Sequence, residues 1–176
     1  IASRERVDAI ILCGDVTGWR ESSDIIKPLS ETKIPIFVVP GNWDSFESID
    51  FLSEIYEMNN LHGRHFIFED IALVGVGGGH PSPTPISEEE ISYLLKKSSD
   101  KVKDISKKIL VTHLHPAGSK SEFSGIGGSR AIRNAVKYIQ PNFLLHGHIH
   151  EASGMEEKIG NTNVINVGKE GRVFEI

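Results

Sequence analysis

Short apolar, β-branched runs recur along this chain: Ala9 to Cys13, Ile34 to Val39, His65 to Phe68, Ile71 to Val74, Lys108 to Thr112, Phe143 to Leu145, Asn163 to Asn166 and Arg172 to Phe174. Each has strand length and none could span a bilayer. Between several of them the apolar spacing changes from two to three or four. "SFESIDFLSEIYEM" (Ser45 to Met58) carries Phe46, Ile49, Phe51, Leu52 and Ile55 on one stripe. "SEEEISYLLKKSS" opens with Ser87 and Glu90 in the register of a reciprocal helix cap. "SRAIRNAVKYI" presents Ile132, Ala135, Val136 and Ile139 on one side. Strands alternating with helices, then strands closing the chain, predict an α/β domain. A length of 176 residues suits one globular unit, residues 1–176, and no repeat or interdomain linker divides it.

Composition narrows the function classes. A net charge of -5 argues against a protein that grips phosphate backbones, so nucleic acid is not indicated as a partner. A bound metal can reverse the local potential, which keeps phosphate-bearing small molecules open as substrates. The lone Cys13 excludes a disulfide framework and any Cys-rich zinc module, and is expected in the core. With no charged-then-apolar leader in the sequence, a cytoplasmic protein without a membrane partner is expected. The chain opens "IASRERVDAI", without Met and in what reads as the middle of a helix. The domain is therefore read as N-terminally incomplete.

The loosest stretches are "GGGHPSPTP" (Gly77 to Pro85) and "PAGSKSEFSGIGG" (Pro116 to Gly128), both inside the domain and read as loops of the functional face. Neither "GVGGGH" nor "GIGGSR" completes a nucleotide fingerprint. Polar residues gather instead at strand ends: Gly14-Asp15 after "AIILC", Gly41-Asn42 after "IFVVP", His113 after "ILVT", and His146, His148 and His150 in "LLHGHIH". In open α/β sheets the carboxyl ends of strands converge on one crevice. A carboxylate, an amide oxygen and several imidazoles form a mixed O/N donor set suited to Mn, Fe, Zn or similar divalent ions. Each piece also has an ordinary reading. Gly-Asp and Gly-Asn are common turns, His113 fits a satisfied core position, and Asp44 with Glu47 can cap the following helix.

In this order, G-D, G-N, an isolated His after an apolar strand, and G-H-x-H resemble the second to fifth motifs of the calcineurin-like metallophosphoesterase superfamily, from Asp15 to His150. "PGNWDS" and "GHIHEA" are most similar to small prokaryotic phosphoesterases related to cyclic-nucleotide phosphodiesterases. The resemblance implies a four-layer α/β/β/α sandwich with two divalent ions at the strand ends. Asp15 would bridge both ions, Asn42, His113 and His148 would complete one shell, and His150 would bind the other ion. A metal-bound hydroxide would then hydrolyse a small phosphodiester or phosphomonoester.

Two departures stand out. The superfamily's first motif, D-x-H, is absent from these residues, so a first strand carrying it is expected upstream of Ile1. The second ion's site is incomplete without that motif, and a second copy of the chain is one way to cover the bared strand edge. The frequent histidine after the G-N asparagine is Trp43, which can donate a hydrogen bond but cannot deliver a proton. His115, facing the same way as His113 on an extended chain, is the candidate substitute acid, and His80 sits in a loop near enough to be considered. His146 is expected to support the ligands from behind. Gly127-Gly128-Ser129 with Arg130 is either an anion cradle or, more simply, a helix cap on Ser129. The competing function class is a catalytically weak, metal-binding interaction scaffold of the same fold, which Trp43 keeps open. A structural zinc domain fits poorly, since such sites use closely spaced Cys and His.

Overall fold

The computed structural model describes residues 5–17, 23–83 and 85–176. A small sheet is built from β1 (Ile10–Leu12), β2 (Ile36–Val38) and β3 (Asn59–Asn60), paired in parallel in that order. A larger sheet contains β4 (His65–Phe68), β5 (Ile71–Val76), β6 (Lys107–Thr112), β7 (Phe143–His146), β8 (Glu156–Ile159) and β9 (Thr162–Asn166), in the order β4-β5-β6-β7-β9-β8. Its inner four strands are parallel, and β4 and β8 flank them antiparallel. The helices are α1 (Ser23–Ser30), α2 (Phe46–Ile55), α3 (Glu88–Ser99) and α4 (Arg130–Ile139).

Alternation along the strands sorts the apolar residues into three cores, and these define four layers. Ile10 and Leu12 of β1 and Val38 of β2 face Ile26 of α1 and Ile49 of α2. Ile11 and Phe37, on the other face of that sheet, meet Leu73, Val111, Leu145 and Ile165 of the large sheet. Val74, Leu110, Leu144 and Val164 cover the large sheet's far face, against Ile91 and Leu95 of α3 and Ile132, Ala135 and Val136 of α4. The order is helices, small sheet, large sheet, helices. Each fully buried Leu or Ile contributes about 1.5–3 kcal/mol, so the three cores together supply the main driving force.

The expected helices are present, and α3 and α4 have Ser87 and Ser129 as caps, accepting from the amides of Glu90 and Ile132. For α2 the cap is Ser45, accepting from Ser48, and not Asp44 as the sequence suggested. Three further corrections concern elements. Arg172 to Phe174 is no strand: the tail after β9 is irregular and lays Phe174 on Phe143, ring centroids 4.8 Å apart. The polar edge strand β8 was hidden because "EEKI" lacks the apolar alternation of a buried strand. Helix α1 was masked by Pro28 inside it, a residue that ordinarily breaks helices. The helix expected over Ile1 to Val7 falls largely outside the described residues.

Candidate metal centre

β1 and β2 are neighbours in the small sheet and β6 and β7 in the large one, and residues just past the carboxyl ends of all four meet. The loop after β1 turns through Gly14 and Asp15, with φ of 94° and 58°. A Cβ on Gly14 would lie 2.6 Å from His113 Nδ1, and one on Gly41 would lie 2.1 Å from Asp15 Oδ1, so only glycine permits this approach. His148 also takes a left-handed conformation, φ 67°. Non-glycine residues held there are strained, which is tolerated where surrounding contacts demand it.

Asn42 lies at the centre of the resulting cluster. Its amide nitrogen donates to the Pro81 carbonyl at 3.2 Å, which turns Oδ1 inward. That oxygen lies 2.8 Å from His113 Nε2 and 2.9 Å from His148 Nδ1. Asp15 Oδ2 stands 3.5 Å from His113 Nε2. His113 Nδ1 is 2.7 Å from the Cys13 carbonyl, an acceptor only, so this nitrogen carries the proton. In the neutral ring Nε2 is then a bare lone pair aimed at the Asn42 oxygen. Two acceptors face each other at hydrogen-bond distance. Such a contact is favourable only with a cation between them, a proton or a metal ion.

The donor set fits a divalent ion. Ligands about 2.1 Å from an ion and at right angles to each other lie about 3 Å apart, close to the separations observed. Burial, followed by the neighbouring His113, His115 and His150, pushes the His148 pKa down to about 4, keeping it neutral as a ligand must be. Among the described residues no three His, Cys, Asp or Glu side chains alone stand close enough to cage an ion. The set closes only through the Asn42 carboxamide.

Asp15, Asn42, His113 and His148 are thus brought together, as the sequence suggested. His150 lies close to His148 but is exposed on a short turn, His150–Ala152, and among the described residues no hydrogen bond or ion pair joins it to those four. His115 is fully buried, its Nε2 3.2 Å from the Ile126 carbonyl and its Nδ1 without a hydrogen-bond partner among the described residues. Its ring centroid lies 6.5 Å from that of His148, with 21° between the planes, and none of the residue is exposed. His146 is likewise buried, and its pKa is pushed down to about 4 by that burial. His80 is exposed in the glycine-rich loop, and Trp43 is 49% exposed with its backbone amide donating to Asp15 Oδ1 at 3.0 Å. The possible anion cradle at Gly128 is already filled. The Gly128 amide donates to Glu122, Ala131 to Glu88 and Ile132 to the Ser129 hydroxyl.

Sequence reasoning missed two supports of the cluster. Asp44 is wholly buried and its carboxylate collects the amides of Asp15 (2.7 Å), Val16 (3.3 Å), Gly41 (2.7 Å) and Thr17 (2.7 Å) and the Thr17 hydroxyl (2.5 Å). It ties the β1 and β2 loops together and holds Asp15 in its left-handed turn. A usable signal was present: Ser45 suffices as a cap, which frees the aspartate before it for another task. Asn166, at the end of β9, donates to the Ile149 carbonyl at 2.8 Å and fixes the turn that carries His148. Nothing local distinguishes it from any strand-end asparagine.

A two-sheet sandwich with acceptor side chains gathered past the ends of its parallel strands is the arrangement of one large class of phosphate-ester hydrolases. The chain belongs to it: residues 1–152 match the calcineurin-like phosphoesterase family, whose members typically use divalent metal ions. Over 93% of its length the chain is 32% identical to an uncharacterised Methanocaldococcus jannaschii protein, MJ1162, covering 78% of that protein. In structure it is similar to TT1561 of Thermus thermophilus, with a TM-score of 0.74, 24% identity, and coverage of 95% of this chain and 79% of that one. It also resembles the T. thermophilus sulfate thiohydrolase SoxB, with a TM-score of 0.56 and 13% identity over 97% of this chain and 35% of that one. These two structural likenesses show the fold alone.

Proposed function

We propose that this chain is a metal-dependent phosphoesterase that hydrolyses a small phosphodiester or phosphomonoester. The observation that carries the reading is the inward-turned Asn42 oxygen 2.8 Å from Nε2 of His113, whose Nδ1 is engaged by the Cys13 carbonyl, with His148 and Asp15 beside it. Asp15, Asn42, His113 and His148 would hold one divalent ion, and His150 would contribute to a second. Ions held there would acidify water and neutralise charge on the phosphoryl oxygens. The chain's own part is preorganisation. Cys13 fixes the His113 tautomer, Asp44 fixes the Asp15 turn, and Asn166 fixes the His148 turn.

The test is hydrolysis of p-nitrophenyl phosphate and bis(p-nitrophenyl) phosphate by protein loaded in turn with Mn, Fe and Zn. Turnover is expected, with Asp15→Asn losing ion binding and activity together. A second reading, a metal-binding interaction scaffold, draws on Trp43 standing where a proton donor would serve and on the burial of His115. Tight ion binding without turnover of either ester would favour it.

A further inference from the structure

The run Gly77-Gly78-Gly79-His80-Pro81 matches no nucleotide fingerprint, yet its first three residues are buried. It lies along the Pro40 to Asn42 segment with no room for side chains. A Cβ on Gly77 would fall 2.2 Å from the Pro40 carbonyl oxygen, and one on Gly79 would lie 3.0 Å from Asn42 Cβ. The Gly78 amide donates to the Pro40 carbonyl at 2.8 Å, and the segment ends on the Pro81 carbonyl that receives the Asn42 amide at 3.2 Å. The glycines let this strap bring the Pro81 oxygen to the one place where it turns the Asn42 oxygen inward.

The start of the strap is held from outside the cluster. The Gly77 amide donates to His62 Nδ1 at 3.1 Å. The His62 ring stacks on Phe46 of α2, centroids 4.3 Å and 30° between planes, and its own amide donates to Asn60 Oδ1 at 2.9 Å. An imidazole accepts at Nδ1 only when that nitrogen is unprotonated. Burial, partly offset by the Asp50 carboxylate, pushes the His62 pKa down to about 4, which keeps the acceptor available.

We propose that His62 is a positioning residue for the ion site: by accepting the Gly77 amide it anchors the 77–81 strap, whose Pro81 carbonyl orients the Asn42 carboxamide. This rests on the reading of Asn42 as an ion ligand. His62→Phe keeps the flat face against Phe46 and removes the acceptor. His62→Asn keeps an acceptor near the Nδ1 position and removes the ring. The readouts are the Asn42 side-chain amide signals by NMR in ion-free protein and Mn2+ affinity by calorimetry. His62→Phe should shift the Asn42 signals and weaken Mn2+ binding about 10-fold or more, the usual scale for groups that support metal ligands, while His62→Asn should stay within about threefold of the parent. Should the Phe variant not fold, His62→Ala is read in the same way. Unchanged Asn42 signals and Mn2+ affinity in a folded acceptor-free variant would overturn the proposal, as would an Asn variant as defective as Phe. If the parent protein binds no divalent ion, the phosphoesterase reading fails, and the Asn42 signals alone still decide the role of His62.

Discussion

Replacing Asp44 by Asn tests the account of the site at its most buried charge. The carboxylate accepts from four backbone amides and one hydroxyl, three donors on Oδ2 and two on Oδ1. An asparagine can keep its oxygen on the side that serves Asp15, Val16 and Gly41. Its amino group must then face the Thr17 amide, donor against donor, while the Thr17 hydroxyl can rotate to accept. The part-buried Thr17 N–H loses its partner, at about 1–2 kcal/mol, and the four remaining bonds fall from charged to neutral strength, at about 0.5–1 kcal/mol each. The total is about 3–6 kcal/mol, less whatever is recovered by no longer burying a charge. Urea unfolding should show the midpoint falling at unchanged slope, because the area exposed on unfolding is the same. A loss below about 1 kcal/mol would mean that the loops after β1 and β2 hold their shape without Asp44, and the argument for it as the organiser of Asp15 would fail.

Three further outcomes are expected. His62 has its folded pKa lowered from 6.5 to about 4, so its contribution is complete above pH 6.5 and is lost as pH falls from there to about 4. Partly screened by its residual exposure, this amounts to about 2–3 kcal/mol, and urea titrations at pH 7 and 4.5 should show His62→Asn losing less stability than the parent by that amount; equal losses would refute the reasoning. His115→Asn should retain kcat even on an ester with a poor leaving group, since the ring is buried with Nε2 engaged by Ile126, whereas a large selective loss would restore it as the acid. Phe174→Ala should lower stability by about 1–2 kcal/mol in thermal unfolding, because a half-buried ring packed on Phe143 is removed, and an unchanged Tm would show that the tail is not part of the core between the sheets.

The alternation of strand and helix signals was enough to predict an α/β domain, because burial on one face and exposure on the other writes a period of two or three to four into the residues themselves; the four layers were implied only by the family resemblance. The same holds for Ser87 and Ser129 as caps, whose partners lie three residues away. Asp15, Asn42 and His113, with the 146–150 histidines as a group, were legible for a related reason: each follows an apolar strand, and the ends of parallel strands meet; the choice of His148 among the three came from the family resemblance. What the sequence could not carry was the set of contacts between residues distant along the chain. Asp44 reaches back to Asp15, His62 takes an amide from Gly77, and Pro81 turns Asn42, each across separations at which no local preference acts. The same distance hid the burial of His115, which on an extended chain faces with His113 but in the folded protein has Nε2 at the Ile126 carbonyl and none of the residue exposed. Local periodicity determined most of the elements, though not the polar β8 or the proline-bearing α1. Only the stacking of two sheets decided which polar atoms lose water, and so which of them must find a partner or a cation.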